Sequence, residues 1–243
     1  MKAGKQPVLA VRLGRGRTGG TTGLDWLVQR AQAGGRDVII ADADVKNPTL
    51  SNLYNGRALQ PPSKEASDIR DWLTTVLDKM ASAECSAALD LGGGDDRILQ
   101  EYDLDLASFC ESVGVAALAF YSLGPEPDDL DHAYSVFSSG VFRPEHALIV
   151  LNGALARQGQ TVATAFGRTL KSDQLRAMID AGAKPIIMKR LACLEQIREL
   201  RLSLNEAAQS REVLGPVGSF MVRRWLADLE EECVTVSVQE WLP

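Results

Sequence analysis

The chain alternates short runs of apolar residues with longer stretches in which apolar residues recur every three or four positions. The runs are typical of buried strands, and the longer stretches are typical of amphipathic helices. Strands and helices that alternate in this way predict an α/β fold, with a doubly wound, mostly parallel sheet flanked by helices. The predicted strands span residues 8–13, 37–41, 86–91, 115–120, 147–151 and 184–188.

Helices are predicted between these strands and through most of the C-terminal region. Four apolar residues share one face of the helix after the first strand: Leu24, Leu27, Val28 and Ala31. Further helices are predicted near residues 50–54 (as a short helix or a docked loop), 64–83, 95–112, 128–138, 172–180, 193–208 and 217–231. After the last helix, the alternation of Val234, Val236 and Val238 predicts a short strand.

A glycine-rich turn joins the first predicted strand to the first predicted helix. Its glycines let backbone N–H groups converge on a guest, and the N-terminus of the helix adds a positive dipole end, so the turn predicts a phosphate site. A P-loop has a lysine followed by a hydroxyl residue at its end. Here Gly20 stands where the lysine belongs, whereas Thr21 and Thr22 supply the hydroxyls; the alternative is a turn without a ligand. The predicted phosphate-binding residues are Gly14, Arg15, Gly16, Arg17, Thr18, Gly19, Gly20, Thr21 and Thr22.

Polar side chains follow three other predicted strands. Asp42 and Asp44 come after the second strand, Asp90 after the third and Asn152 after the fifth. The carboxyl ends of parallel strands meet at one edge of a doubly wound sheet, so these residues and the glycine-rich turn predict one site. A nucleoside triphosphate carries Mg²⁺, for which Thr21 is the predicted direct ligand, and Asp42 and Asp90 are predicted to hold metal-bound waters. Asp44 is predicted to orient or deprotonate an attacking water, and the alternative for each aspartate is a turn or cap role.

The turn resembles the deviant P-loop of the ParA/MinD family of ATPases, whose motif reads Lys-Gly-Gly-x-Gly-Lys-Thr/Ser-Thr/Ser. In that alignment Arg15 stands at the signature lysine of the family and Arg17 at its second glycine. Four later segments resemble family motifs in the correct order: 39–54 (second motif and switch I), 87–94 (Walker B), 149–152 (a strand ending in an adenine-contacting asparagine) and 184–191 (the last parallel strand). The resemblance therefore covers about residues 8–191 and leaves out the C-terminal helices.

The resemblance implies a P-loop NTPase fold, binding of ATP with Mg²⁺, and a nucleotide-dependent homodimer in which the signature lysine reaches the phosphates of the partner. It assigns that catalytic reach to Arg15, catalysis also to Asp44, and contacts to the base to Asn152 and Arg190. Because a charge-assisted hydrogen bond contributes ~1.5–3 kcal/mol, the lysine lost at Gly20 predicts binding or rate lower by roughly ten- to a hundredfold. Arg15 or Arg17 could substitute for it, or both could be solvated loop charges.

Three functions of different classes follow from these features. The preferred one is a ParA-like, weak or slow ATPase that acts as a dimerisation switch in plasmid or DNA partition, stability or conjugative transfer, with a DNA-bound adaptor as partner. The second is a degenerate, non-hydrolysing scaffold that binds nucleotide weakly or not at all. The third is a metabolic or kinase-type enzyme, because a fold does not fix a function.

Composition narrows these functions. With 243 residues and 45% hydrophobic content, the chain can bury a core, and we expect one domain over 1–243 with its P-loop core at about 8–191. A net charge of −6 argues against coating nucleic acid through overall charge, so any DNA contact would be local and non-specific. The residues of such a patch would be Lys189, Arg190, Arg198, Arg201, Arg223 and Arg224, for which a solvated helix face is the alternative.

Cysteine usage and hydropathy predict the location of the protein. The four cysteines have no paired spacing, which is typical of reduced thiols in a cytoplasmic protein. No apolar stretch approaches the ~18 residues of a membrane span, and the helix predicted at 217–231 ends in acidic residues. We therefore expect a cytoplasmic protein without membrane contact.

Overall fold

The computed structural model describes residues 5–45, 47–54, 56–92, 96–101 and 105–243. Its strands are β1 Val8–Leu13, β2 Val38–Asp42, β3 Ser86–Asp90, β4 Ala116–Leu123, β5 His146–Asn152 and β6 Lys184–Met188. They form one sheet in the order β2-β3-β1-β4-β5-β6, in which every neighbouring pair is parallel. The predicted α/β fold with a doubly wound sheet is confirmed, and the sheet is parallel throughout its six strands.

Helices connect the strands and cover both faces of the sheet. They are α1 Gly20–Ala33, α2 Thr49–Leu53, α3 Ala66–Ala83, α4 Asp96–Glu101, α5 Leu106–Ser112, α6 Pro127–Ser139, α7 Val162–Ala165, α8 Asp173–Asp180, α9 Leu194–Glu199, α10 Leu204–Gln209 and α11 Gly215–Thr235. Short 3₁₀ helices span Gly153–Leu155, Thr169–Lys171 and Gln239–Trp241. Within the described ranges, none of the helices combines the length and the apolar character that a membrane crossing requires.

Strand β1 is buried on both faces of the sheet. Because its side chains alternate between the two faces, the position of its one charged residue, Arg12, along the strand determines the face on which it lies. Leu9, Val11 and Leu13 belong to the core that includes side chains of α3, α5, α6 and α8. Val8 and Ala10 belong to the core on the opposite face, with side chains of α1, α10 and α11. Because successive strand residues face opposite sides, Arg12 shares the face of Val8 and Ala10 and lies on the α1 side.

The topology places a binding crevice at the carboxyl end of β1. From β1 the chain proceeds to β2 at one edge of the sheet, whereas from β4 it proceeds to β5 and β6 at the other edge. Ligands of open α/β sheets bind at such a switch in direction, outside the carboxyl ends of the strands. The glycine-rich turn follows β1 directly and therefore lies at this crevice.

A buried carboxyl group ties the first helix to two later ones. Asp25 of α1 accepts a hydrogen bond from the hydroxyl of Tyr54, just after α2, at 2.5 Å. It also accepts one from the backbone N–H of Leu204, at the start of α10, at 3.1 Å. Burial raises the pKa of the Asp25 carboxyl to about 7, although both hydrogen bonds act to lower it. The Asp25 carboxyl thus links α1 to the end of α2 and to the start of α10.

The predicted C-terminal strand is wrong. Val234 lies within α11, which continues to Thr235, and Ser237 then turns the chain with φ 59°. The backbone N–H of Val238 bonds to the carbonyl of Cys233 at 3.0 Å, and both side chains are buried. Three alternating valines match the period of a strand, but here the turn at the helix end brings Val238 back into the core.

Other boundaries differ in smaller ways. The helix predicted at 193–208 is two helices, α9 and α10, because Arg201 between them has a left-handed φ of 52°. The stretch predicted as helix at 95–112 contains α4 and α5, and its residues 95 and 102–104 lie outside the described part of the chain. Residues 46, 93 and 94 of the segments that resemble family motifs also lie outside it.

Candidate functional site

The loop between β1 and α1, residues 14–19, is called the site loop below. Gly14 and Gly19 have φ of 120° and 90°, which glycine adopts freely, and Arg17 has a φ of 67°. The backbone of Arg17 is thus in the left-handed region, at the position where the family motif has a glycine. At Gly19 a Cβ would overlap the amide of Asn152, whose Nδ2 donates to the carbonyl of Thr18 at 2.9 Å. Glycine is required here because the end of β5 approaches the loop so closely.

Side chains from β4 and from the loop itself fix its middle. The buried hydroxyl of Thr18 donates to the carbonyl of Arg15 at 2.8 Å and lies 2.7 Å from the hydroxyl of Ser122. A Cβ on Gly14 would lie 3.1 Å from the carbonyl oxygen of Ser122. Gly14 and Thr18 therefore hold the loop against β4. Neither lines the cavity described below.

Arg12 is the residue that the sequence analysis missed. Its Nη2 donates to the carbonyl of Arg15 at 2.6 Å, and its Nη1 lies 3.4 Å from Oδ1 of Asp90. Both side chains of this ion pair are only 4% exposed. A Cβ on Gly20 would overlap Nε of Arg12, so the Arg12 side chain occupies the space in which the side chain of a P-loop lysine at position 20 would begin. The available signal was an arginine inside the otherwise apolar run at 8–13.

A buried guanidinium needs partners, because taking a charge out of water is costly unless it is paired and hydrogen-bonded. Arg12 has Asp90 and the carbonyl of Arg15 as partners, but its Nε is buried with no protein partner in the described part of the chain. One strong donor at the base of the site loop is therefore left unused.

The predicted metal residues lie together beside Arg12. Thr21 donates its hydroxyl to Oδ2 of Asp90 at 2.8 Å, and the backbone N–H of Gly92 donates to Oδ1 at 3.0 Å. Asp42 is buried and accepts from the backbone N–H groups of Asp44 at 3.1 Å and Ser51 at 2.9 Å. Burial, with the nearby Asp90 carboxylate as a smaller cause, raises the pKa of Asp42 to about 6.

This arrangement does not fit a Mg²⁺ ion at Asp90. Arg12 places a positive charge 3.4 Å from Asp90, where it opposes a divalent cation, and the oxygens of Asp90 and Asp42 also accept hydrogen bonds from the protein. The described residues contain no group of three or more His, Cys, Asp or Glu side chains placed to hold a metal ion. The side chain of Asp44 is half-buried at the cavity and accepts from the backbone N–H of Asn47 at 2.9 Å.

Arg15 points away from the site toward α6. Its Nη1 lies 3.4 Å from a carboxylate oxygen of Asp128 and 3.4 Å from one of Asp129. Burial raises the pKa of the Asp129 carboxyl, and the Arg15 charge acts in the opposite direction. In this structure, the predicted cationic finger is therefore paired within its own chain.

A cavity of about 720 Å³, called the site cavity below, opens beside the site loop and is within the size range of small-molecule sites. It is lined by Gly16, Gly19, Gly20, Thr21, Thr22, Asp44, Asp90, Asn152 and Trp225 among others. Five cationic side chains also line it: Arg12, Arg17, Lys189, Arg190 and Arg198. A second cavity, of about 830 Å³, lies at the amino-terminal edge of the sheet beside His146, away from every predicted site residue.

The C-terminal helices form one wall of the site cavity. Arg198 of α9 donates to the hydroxyl of Thr22 at 2.7 Å, and the indole of Trp225 in α11 donates to the carbonyl of Lys189 at 2.6 Å. Lys189 and Arg224 both pair with Asp228, at 3.0 and 3.1 Å. Three side chains assigned to a DNA-facing patch, Lys189, Arg198 and Arg224, thus form hydrogen bonds or ion pairs with other residues of the chain.

Asn152, for which the resemblance implies a contact with the base, bonds to two backbone groups of the protein. Its Nδ2 bonds to the carbonyl of Thr18, and its Oδ1 accepts from the backbone N–H of Ala154 at 3.1 Å. Both polar atoms therefore hold protein groups, although the residue lines the cavity. Arg190 lies exposed at the cavity, in the loop after β6.

Comparison with known proteins identifies the fold. No protein-family model and no curated protein sequence matches the chain. Among solved structures, the chain is similar to the cell division protein FtsY of Thermotoga maritima (TM-score 0.54, 15% identity, 77% of this chain and 63% of that one). It is also similar to the cell division protein MinD of Aquifex aeolicus (0.50, 14%, 93% and 98%) and to chloroplast FtsY of Physcomitrella patens (0.51, 14%, 78% and 61%). The chain has the P-loop NTPase fold of these proteins.

At 14–15% identity the similarity shows the fold alone. The chain spans less than two thirds of the two FtsY structures and almost all of MinD. The shared fold explains why the site loop, Asp42, Asp90 and Asn152 meet at one edge of the sheet.

Proposed function

We propose that this protein binds the phosphates of a nucleotide, ATP, in the site cavity. The observation that carries the proposal is the position of Arg12, whose buried side chain lies against Gly20, where the side chain of a P-loop lysine would begin. Arginine is well suited to phosphate because its planar fork offers several donors. A positive charge is therefore present at the base of the loop although the lysine is not.

Two further features support an anionic ligand. The first turn of α1 has no capping side chain and no acidic residue of its own, so its backbone N–H groups and its positive dipole end face the loop. Arg17, Lys189, Arg190 and Arg198 line the same cavity, and their charges would attract a polyphosphate.

Hydrolysis is slow at most in this proposal. Arg12 pairs with Asp90, the carboxylate that the sequence assigns to the metal, so the chain's own cation takes the place beside that group. Arg15 pairs with Asp128 and Asp129, so both ion pairs would have to break before Arg15 could contact the phosphates bound by a partner in a dimer. These contacts favour the non-hydrolysing scaffold as the second candidate function. A switch in DNA partition, stability or conjugative transfer, with a DNA-bound adaptor, is our proposal from the sequence motifs.

Calorimetric titration with ATP, ADP and GTP tests the binding proposal. The unaltered protein should bind ATP, and Arg12→Ala should weaken that binding by roughly ten- to a hundredfold, as expected for the loss of a charge-assisted hydrogen bond. The matched control is Arg176→Ala, which removes an exposed arginine of α8 that pairs with Asp173 and does not line the cavity. The proposal would be contradicted if the unaltered protein did not bind nucleotide at millimolar concentration. It would also be contradicted if Arg12→Ala and Arg176→Ala had equal affinity for ATP.

A further inference from the structure

The carboxylate of Asp90 is already neutralised by the chain itself. Arg12 approaches one oxygen at 3.4 Å, and the hydroxyl of Thr21 and the backbone N–H of Gly92 also donate to the carboxylate. Since the guanidinium and the carboxylate are each 4% exposed, the pair lies inside the protein at the floor of the site cavity. A divalent cation brought to Asp90 would meet a fixed like charge at short range, which repels it strongly where water is scarce.

Two departures from a P-loop are linked in space. Gly20 in place of lysine leaves room beside α1, and Arg12 fills that room from β1. A side chain at position 20 and the guanidinium of Arg12 exclude one another, so the two residues work as a pair. The charge lost from the loop is thereby supplied by the strand beneath it. It is also moved to a position where it contacts Asp90.

We propose that the site takes its polyphosphate ligand without a divalent cation, because Arg12 supplies the positive charge that a metal ion would otherwise supply beside Asp90. This inference rests on the proposed nucleotide-binding function and adds that Mg²⁺ is not needed for it. Arg12 lines the site cavity and contributes its positive charge, and the backbone N–H groups of the uncapped first turn of α1 are donors available to the ligand. Affinity for ATP is then set by the protein's own cations.

The test is calorimetry of the full chain with ATP in excess Mg²⁺ and again in EDTA. The expected dissociation constants agree within about twofold. Affinity lower in EDTA by about tenfold or more overturns the metal-free site and leaves nucleotide binding intact. Absence of binding in both buffers overturns the binding function and the inference together, so the two failures are distinguishable.

A double variant tests whether Arg12 is the cause. Arg12→Ala with Gly20→Lys vacates the space and restores a P-loop lysine, so its ATP affinity should become Mg²⁺-dependent by about tenfold or more. Arg176→Ala is the matched control and should keep the Mg²⁺-independent affinity of the unaltered protein. If the folded double variant also binds equally in Mg²⁺ and EDTA, the assignment to Arg12 is overturned. Near-ultraviolet circular dichroism reports its folding, and if it does not fold, the comparison of buffers with the unaltered protein decides the proposal.

Discussion

Arg12 and Gly20 share one space at the base of the site loop. The arginine is held there by Asp90 and the carbonyl of Arg15, and a side chain at position 20 would overlap its Nε. Glycine thus permits the buried arginine, and the arginine provides the positive charge that the loop lacks. The cost of burying that charge is offset by its paired carboxylate and its hydrogen bonds.

A substitution at Gly20 should therefore depend on Arg12. Gly20→Ala in the unaltered protein is expected to lower the free energy of unfolding by about 1–3 kcal/mol, as overpacking in a dense interior does. In an Arg12→Ala background the same change should have little effect, because the space is empty. Urea denaturation of the four proteins of this double-mutant cycle measures the coupling. Equal effects in both backgrounds would show that the two positions do not compete.

The sequence indicated this site only in part. Thr21 and Asp90 were expected together because the carboxyl edge of a parallel sheet is a consequence of topology, and the structure places them 2.8 Å apart. Arg12 was not expected, because its meeting with Gly20 depends on which face of β1 it occupies and on the path of the site loop. A motif that is local in sequence contains neither piece of information.

At the scale of elements, the C-terminal helices illustrate a similar limit. Their apolar periodicity predicts helices, yet α9 and α11 also form a wall of the site cavity through Arg198 and Trp225. These contacts join segments far apart in the chain, and so does the bond from Leu204 to Asp25 that orients α10. The spacing of apolar residues along one helix does not specify such long-range partners. It also did not predict that the helix is interrupted at Arg201.

The buried carboxyl of Asp25 should make stability depend on pH. Burial raises its pKa from the ordinary value near 3.8 to about 7, so the folded protein holds this proton more tightly than the unfolded chain. Its contribution to the free energy of unfolding is therefore greatest below pH 4, falls as pH rises toward 7, and is level above that. The fall is at most about 1.4 kcal/mol per pH unit.

Asp25→Asn isolates this effect because it keeps the size of the side chain without its charge. The free energy of unfolding should be measured in urea at pH 5, 6, 7 and 8. The value for the variant, relative to that for the unaltered protein, should increase as pH rises to 7. Asp42, whose pKa is also raised by burial, is present in both proteins and cancels in the difference. A stability difference that does not change between pH 5 and pH 7 would mean that Asp25 is not titrating in that range.

For the whole molecule, the position of Arg15 bears on assembly. In this structure it bridges the site loop to α6 through Asp128 and Asp129. A cation that acts across a dimer interface must be free to leave such contacts. The pair with Asp128 contributes little because Arg15 is 45% and Asp128 75% exposed, whereas Asp129 is only 11% exposed and forms the stronger contact.

The switch hypothesis predicts a change of mass with nucleotide. Light scattering on a sizing column should show the 26.3 kDa chain alone or with ADP, and twice that mass with ATP. Arg15→Ala should abolish the ATP-dependent dimer while the affinity of the single chain for ATP stays unchanged. Asp44→Ala should prolong the dimer if hydrolysis ends it. One mass under all conditions would instead favour the scaffold, which does not change its assembly with nucleotide.

The site loop is tied to three neighbouring strands before any ligand arrives. Arg12 of β1 donates to the carbonyl of Arg15, Ser122 of β4 bonds to the hydroxyl of Thr18, and Asn152 of β5 donates to the carbonyl of Thr18. The conformational entropy of ordering this loop is consequently lost on folding and not on binding. For the proposed polyphosphate ligand the loop is thus preorganised, and we expect diffusion of the ligand into the cavity, rather than closure of the loop around it, to set how fast the complex forms.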